Sequence, residues 1–198
     1  MEQPEAVRKT ISPRLADGEI VMEELNNASE LLKGISRIYI VACGSAYHVG
    51  MVGTYALEKI LHIPVEACLA SEFRYSEPVL GESALVIVIS QSGETLDSMA
   101  ALREAKRKGS KVLSIVNVMG SSIARESDYV LYTWAGPEIA VATTKAYTTQ
   151  MILLLMFGVY LAKQLNRIEQ REYMEIVKEL QALPEKIRIV LNDLKIYQ

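Results

Sequence analysis

A chain of 198 residues has room for one α/β domain with helical extensions, and two complete domains do not fit comfortably. Half of the residues are hydrophobic, which supports a sizeable core and argues against disorder. The formal net charge is only −3, acids and bases are interleaved, and no basic tract is present, so nucleic-acid binding is set aside.

Met1 is followed by Glu2, Gln3 and Pro4 rather than a basic patch and an apolar run, so no signal peptide is read at this end. Residues 1–34 are expected to form an N-terminal helical extension, with helix over 19–33. Residues 35–165 form the expected α/β core. Within it, short apolar runs at 37–43, 64–69, 84–90, 111–117 and 128–132 predict five strands, separated by amphipathic helical segments. That alternation is the pattern of a parallel sheet covered on both faces. After the first strand, Val49, Val52, Ala56 and Ile60 recur at helical spacing; after the third, Leu96, Met99 and Leu102 do the same. Gly109 then stands where a helix C-cap glycine is expected. The apolar run 151–162 falls short of the ~20 residues that cross a membrane and is read as a core helix. Residues 166–198 are expected to form a C-terminal helix that reaches the chain end without a capping signal.

Cys43 and Cys68 are far apart and lack metal-ligand spacing, and His48 and His62 add no constellation, so no metal site is expected. This cysteine usage fits a reducing cytoplasm.

In an open parallel sheet, ligands bind beyond the strand carboxyl ends, where neighbouring connections leave on opposite faces. With strand order 2-1-3-4-5, that point lies between strands one and three. The loops leaving them, Cys43-Gly44-Ser45-Ala46 and Ser90-Gln91-Ser92-Gly93-Glu94-Thr95, are small, hydroxyl-rich and glycine-bearing, and each opens a helix. Open backbone N–H groups at a helix start, with the helix dipole behind them, suit a phosphate monoester. Ser90, Ser92 and Thr95 add hydroxyl donors, and Gly93 permits close backbone approach. Ordinary helix capping by Ser92 or Thr95 is the competing account. Cys43 has no evident partner base and is read as a packing or ligand-contact residue rather than a nucleophile. A third segment, 136–150, runs from Gly136-Pro137 into a Thr-rich helix start, with Lys145 expected to be exposed or paired.

Four segments carry a family resemblance: Ala42-Cys43-Gly44-Ser45-Ala46-Tyr47-His48, Ala70-Ser71-Glu72-Phe73, Ser90-Gln91-Ser92-Gly93-Glu94-Thr95, and 136–150. With them the chain resembles the SIS (sugar isomerase) family over nearly its whole length. It is most similar to the isomerase region of the glutamine–fructose-6-phosphate aminotransferases, to which the 136–150 segment is the most specific. The resemblance implies a three-layer αβα SIS-type domain with a five-stranded parallel sheet. It implies that Ser90, Gln91, Ser92 and Thr95 hold the phosphate of fructose 6-phosphate or glucosamine 6-phosphate. Cys43, Gly44 and Ser45 line the sugar, and Val141 touches it through its backbone. Many relatives have Gly-Thr-Ser where this chain has Gly44-Ser45-Ala46, so one hydroxyl of the family pattern is missing at Ala46.

The enzymes that the chain resembles convert fructose 6-phosphate and glutamine to glucosamine 6-phosphate and glutamate, without a metal or organic cofactor, as homodimers. Their glutaminase domain carries a cysteine directly after the initiator methionine, where this chain has Glu2. Their general base and Schiff-base lysine come from a second SIS domain, so no catalytic residue is expected here and the chain is expected to be inactive alone. A non-catalytic sugar-phosphate sensor and a fructosamine-phosphate deglycase are the two alternatives; the 136–150 segment disfavours both.

Overall fold

The computed structural model describes residues 2–28, 32, 34–138 and 143–193. Helix α1 (Gln3–Ile11) begins with Pro4 in its first turn and carries Arg8 and Lys9 in its last, both suited to their ends of the helix dipole. A 3₁₀ turn over Ser12–Arg14 leads into a small antiparallel hairpin, β1 (Leu15–Ala16) and β2 (Glu19–Ile20). Asp17 and Gly18 both have positive φ, the pairing that a two-residue hairpin turn needs. This turn corrects the expectation of helix from residue 19. Glu19 and Ile20 are extended and Glu23–Leu25 is a 3₁₀ turn, while residues 29–31 and 33 lie outside the described residues.

The sheet follows: β3 (Arg37–Ala42), helix α2 (Ser45–Leu61), β4 (Val65–Leu69), the short α3 (Ala70–Phe73), β5 (Ala84–Ser90), α4 (Leu96–Arg107), β6 (Lys111–Val116), α5 (Ser122–Glu126) and β7 (Tyr129–Tyr132). The spatial order is β4-β3-β5-β6-β7 and every pairing is parallel, which is the predicted 2-1-3-4-5 arrangement. Two long helices complete the chain, α6 (Lys145–Gln164) and α7 (Gln170–Asp193).

Alternate residues of each strand enter different cores. Ile38, Ile40, Ala42, Leu85, Ile87 and Ile89 join a cluster with α1, α2, α6 and α7. Tyr39, Val41, Ala84, Val86 and Val88 join a second cluster with α3, α4 and α5. Burial on both faces is why the central strands read as continuous apolar runs.

Two helix faces differ from the predicted stripes. In α2 the buried residues are Ala46, Val49, Gly50, Gly53, Leu57 and Leu61, while Val52 is exposed. Glycine sets this face. A Cβ on Gly53 would stand 2.4 Å from Leu154 Cδ2, and one on Gly158 would stand 2.9 Å from Leu57 Cδ1, so α2 and α6 approach more closely than larger residues allow. In α4, Ser98, Ala101, Leu102 and Ala105 face inward and Leu96 is 77% exposed. Helix α6 has the length and hydropathy of a membrane span, but 72% of its most apolar window is buried inside the protein, which makes it a core helix.

The extensions are bolted to the sheet. Arg14, 2% exposed, donates to Thr10 O at 3.0 Å, to Tyr132 O at 2.9 Å and to Glu24 Oε1 at 2.6 Å. Thr10 Oγ1 donates to Thr133 O. Tyr173 of α7 accepts the Ile20 N–H at 2.7 Å.

Candidate functional site

The connection leaving β3 crosses to the α2–α6 face and the connection leaving β5 crosses to the α4 face. The two loops therefore diverge at the carboxyl edge of adjacent strands, the topological switch point at which open parallel sheets bind ligands. Ser98 on α4 donates its hydroxyl to Cys43 Sγ at 3.8 Å, a contact that ties the two loops together.

Cys43, half-buried, follows directly on β3 and packs against the α4-side core. Gly44 is the N-cap residue of α2, with φ 57° and ψ −134°, a conformation open to glycine alone. Nothing lies within 4 Å of where its Cβ would stand, so the space beside it is free. Ser45 is exposed, and Ala46 is 7% exposed and turned into the core. A hydroxyl at position 46 would point toward packed side chains, whereas Ser45 is exposed to solvent. His48 is exposed and rests edge-on against Tyr47.

The second loop has a connected set of hydroxyls. Ser90, 3% exposed, shares a hydrogen bond with Thr95 at 3.1 Å and accepts the Gly93 N–H at 3.1 Å. Ser92 Oγ accepts the Glu94 N–H at 3.2 Å. Thr95 is the N-cap residue of α4 but makes no cap bond. The Thr95 side chain therefore does not cap α4: its hydroxyl is engaged with Ser90, and among the described residues the first N–H groups of α4 have no side-chain partner. Gln91 and Ser92 are half-buried. Val141 lies outside the described residues.

Several residues that the sequence reading passed over hold this loop in place. The Asn117 N–H donates to Gln91 O at 3.1 Å and the Ile123 N–H to Gly93 O at 3.0 Å. Asn117 also donates to Gly136 O at 2.7 Å and accepts from the Thr133 hydroxyl at 2.8 Å and the Ala135 N–H at 2.9 Å. It thus joins the 90–95 loop to the start of the 136–150 segment. The available signal was its place, a polar residue directly after a core strand at the ligand edge of the sheet. Ser98 had a weaker one, a small polar residue one turn after the N-cap.

Gly93 has φ 68°, and a Cβ there would lie 2.0 Å from Ser121 Oγ. Its close approach is thus to a neighbouring turn, a structural reason distinct from the ligand approach expected of it. Ser122 N–H donates to Glu94 Oε1 at 2.8 Å. That backbone bond, with the Ser122 side chain and Arg125 adding to it, holds the Glu94 carboxyl below the usual carboxylate range. Since the folded value is the lower one, the bond stabilises the fold above the ordinary carboxylate pKa and is lost as pH falls through the lowered value.

Downstream, Glu138 accepts the Ala146 N–H at 3.0 Å, closing the first turn of α6. Lys145 is paired, as one of the two expected alternatives has it, and is also buried: its side chain is 9% exposed and reaches Glu2 at 2.6 Å. Among the described residues no cluster of three or more His, Cys, Asp or Glu side chains could hold a metal ion. Burial, with Glu66 beside it, pushes the Cys68 thiol up to about 12. Cys68 is expected to stay unalkylated by iodoacetamide at pH 8 over a period that labels free cysteine fully; rapid labelling, read by mass spectrometry, would contradict this.

Comparison with known proteins places this geometry. Residues 31–160 match the SIS domain family. The chain is 52% identical over its full length to a glutamine–fructose-6-phosphate aminotransferase [isomerizing] from Caldanaerobacter subterraneus subsp. tengcongensis, of which it covers 33%. It is 50% identical over 96% of its length to the protein of the same name from Clostridium acetobutylicum, covering 31% of it. The chain thus spans about a third of the length of these relatives. Among solved structures, the C-terminal domain of glucosamine-fructose-6-phosphate aminotransferase from Francisella tularensis superposes with a TM-score of 0.89 at 41% identity, over 93% of this chain and 52% of that one.

Proposed function

The chain belongs to the SIS domain family, and on that premise we propose that it is the sugar-phosphate-anchoring part of an aminotransferase isomerase region. In this reading, Ser90, Gln91, Ser92 and Thr95, with the open N-terminus of α4, hold the phosphate of fructose 6-phosphate or glucosamine 6-phosphate. Cys43, Gly44 and Ser45 line the sugar, with the backbone of Val141 completing that side.

One observation carries the reading: a hydroxyl-rich loop at the switch point leads into a helix whose first N–H groups no side chain among the described residues caps. The donors there are neutral, since neither loop contains Lys or Arg. Helix-start N–H groups and hydroxyls bind a phosphate dianion through charge-assisted hydrogen bonds. The identity to aminotransferases over the whole chain supports the choice of sugar.

The whole enzyme of this reading makes glucosamine 6-phosphate and glutamate from fructose 6-phosphate and glutamine in the cytoplasm. It acts as a homodimer without metal or organic cofactor. In this reading the chain is a single SIS domain, its α/β core over 35–165 preceded by α1 and the β1–β2 hairpin and followed by α7. The glutaminase domain and the second SIS domain supply the catalytic groups, so no catalytic residue is assigned in this chain.

Calorimetric titration tests the anchor. Fructose 6-phosphate is expected to bind saturably and fructose not at all, and Ser92→Ala and Thr95→Val are each expected to weaken binding by roughly 10- to 100-fold, the range for a hydrogen bond to a charged group. Equal binding of fructose, or full affinity in both variants, would remove the anchor from this loop. The chain with ammonia and fructose 6-phosphate is expected to yield no glucosamine 6-phosphate; product detected by mass spectrometry would show catalytic groups within these residues.

A further inference from the structure

Glu94 is the one charged residue in the 90–95 loop. A free carboxylate there would oppose an anion held by the same loop, because like charges a few ångströms apart repel. The structure gives this carboxylate a different partner. Glu94 Oε1 takes the Ser122 N–H at 2.8 Å, at the start of α5. One residue earlier, Gly93 O takes the Ile123 N–H at 3.0 Å, and two residues before that, Gln91 O takes the Asn117 N–H at 3.1 Å. All three acceptors point toward the β6–α5 connection. A Cβ on Gly93 would also run into Ser121 on that side, so the loop lies against the connection without a gap.

These contacts define a division of labour inside the loop. Its acceptors at Gln91, Gly93 and Glu94 are engaged by the neighbouring connection. Its hydroxyls at Ser90, Ser92 and Thr95 bond within the loop, and among the described residues the helix N–H groups behind Thr95 have no side-chain partner. A loop whose acceptors are engaged elsewhere, and whose Ser92 hydroxyl and following helix N–H groups donate to no side chain among the described residues, can hold an anion without a cationic side chain.

We infer that Glu94 is a positioning residue, which anchors the 90–95 loop to the start of α5 and thereby aims its donors at the phosphate. The inference rests on the anion-binding reading proposed above. It assigns Glu94 no contact with the ligand. What Glu94 supplies is an acceptor for the Ser122 N–H, and a glutamine can supply the same acceptor without the charge.

The test compares Glu94→Ala with Glu94→Gln in the 198-residue chain, by amide hydrogen exchange and by calorimetry with fructose 6-phosphate. In Glu94→Ala, exchange at Ser122 and Ile123 is expected to accelerate by about tenfold or more, while amides in β3 and β5 keep their protection. Fructose 6-phosphate affinity is expected to fall by about tenfold in the same variant. Glu94→Gln is expected to keep wild-type protection and to bind at least as tightly as the wild type, since the acceptor stays and a repelling charge goes.

Unchanged exchange in Glu94→Ala overturns the anchor whatever the ligand does. Accelerated exchange with wild-type affinity overturns the positioning role. Equal weakening in both variants makes the charge itself the active feature and overturns the acceptor role. A wild-type chain that binds no sugar phosphate defeats the anion-binding reading and the positioning role with it. In that case, exchange still shows separately whether Glu94 ties the loop to α5.

Discussion

Gly93→Ala is expected to unfold at a temperature roughly 6–12 °C below the wild type and to lose fructose 6-phosphate binding. Two costs add. The residue has φ 68°, where an L side chain is strained by about 1–2 kcal/mol. The new methyl would also stand 2.0 Å from Ser121 Oγ and 2.5 Å from Ser121 Cβ, an overlap too deep for rotamer adjustment. Overpacking of this kind costs about 1–3 kcal/mol, and a total of roughly 3 kcal/mol corresponds to the stated shift for a chain of this size. Relief of the overlap forces the loop away from the β6–α5 connection, along with the Ile123–Gly93 bond. Ser121 is 3% exposed and its hydroxyl has no partner among the described residues, so removing it should cost little. Gly93→Ala combined with Ser121→Gly is therefore expected to recover about half of the lost stability, leaving the φ strain. A single variant as stable as the wild type in a thermal melt would show that the loop is free to shift.

Arg14→Ala is expected to be comparably destabilising, for a reason distant from the crevice in sequence. The guanidinium is 2% exposed and serves three acceptors at once, Thr10 O, Tyr132 O and Glu24 Oε1. Its loss strands buried carbonyls and leaves a partly buried carboxylate unpaired, at a cost of roughly 3 kcal/mol, or about 6–12 °C in Tm. Arg14→Lys is expected to recover less than half, because one ammonium cannot reproduce the planar fork. The effect should reach the site. Tyr132 ends β7, and Thr133 and Ala135 feed the Asn117 network that joins the 136–150 segment to the 90–95 loop. Faster amide exchange at Ala135 in Arg14→Ala would register that transmission. A melt within 2 °C of the wild type would show that the clamp contributes little.

What could be read without coordinates was what neighbouring residues encode among themselves. Five apolar runs mark five strands, because a strand buried on both faces needs an uninterrupted apolar sequence; their ends agree with the structure to within one residue. The two loops at 43–46 and 90–95 declared themselves by glycine and hydroxyl content, and the alternation of elements implied a parallel sheet with a crevice between its first and third strands. The helical segments were recognisable, but not their buried faces. In α2 the inward stripe is set by Gly50 and Gly53, whose value lies in what Ile40 and Leu154 bring against them. A periodicity that counts only large apolar residues does not see this.

The tertiary structure decided the contacts that join separate elements. Residue 19 starts a strand because Asp17 and Gly18 turn the chain back on itself. Lys145 is buried and paired with Glu2, 143 residues before it in the chain. Ser98 meets Cys43 across 55 residues, and Arg14 meets Tyr132 across 118. Gly93 is required by Ser121. The physical reason is the same in each case. Local propensity and periodicity depend on residues a few positions apart and are therefore written in order along the chain. Packing partners depend on the register of strands and the facing of helices, and these exist only once the whole core has closed.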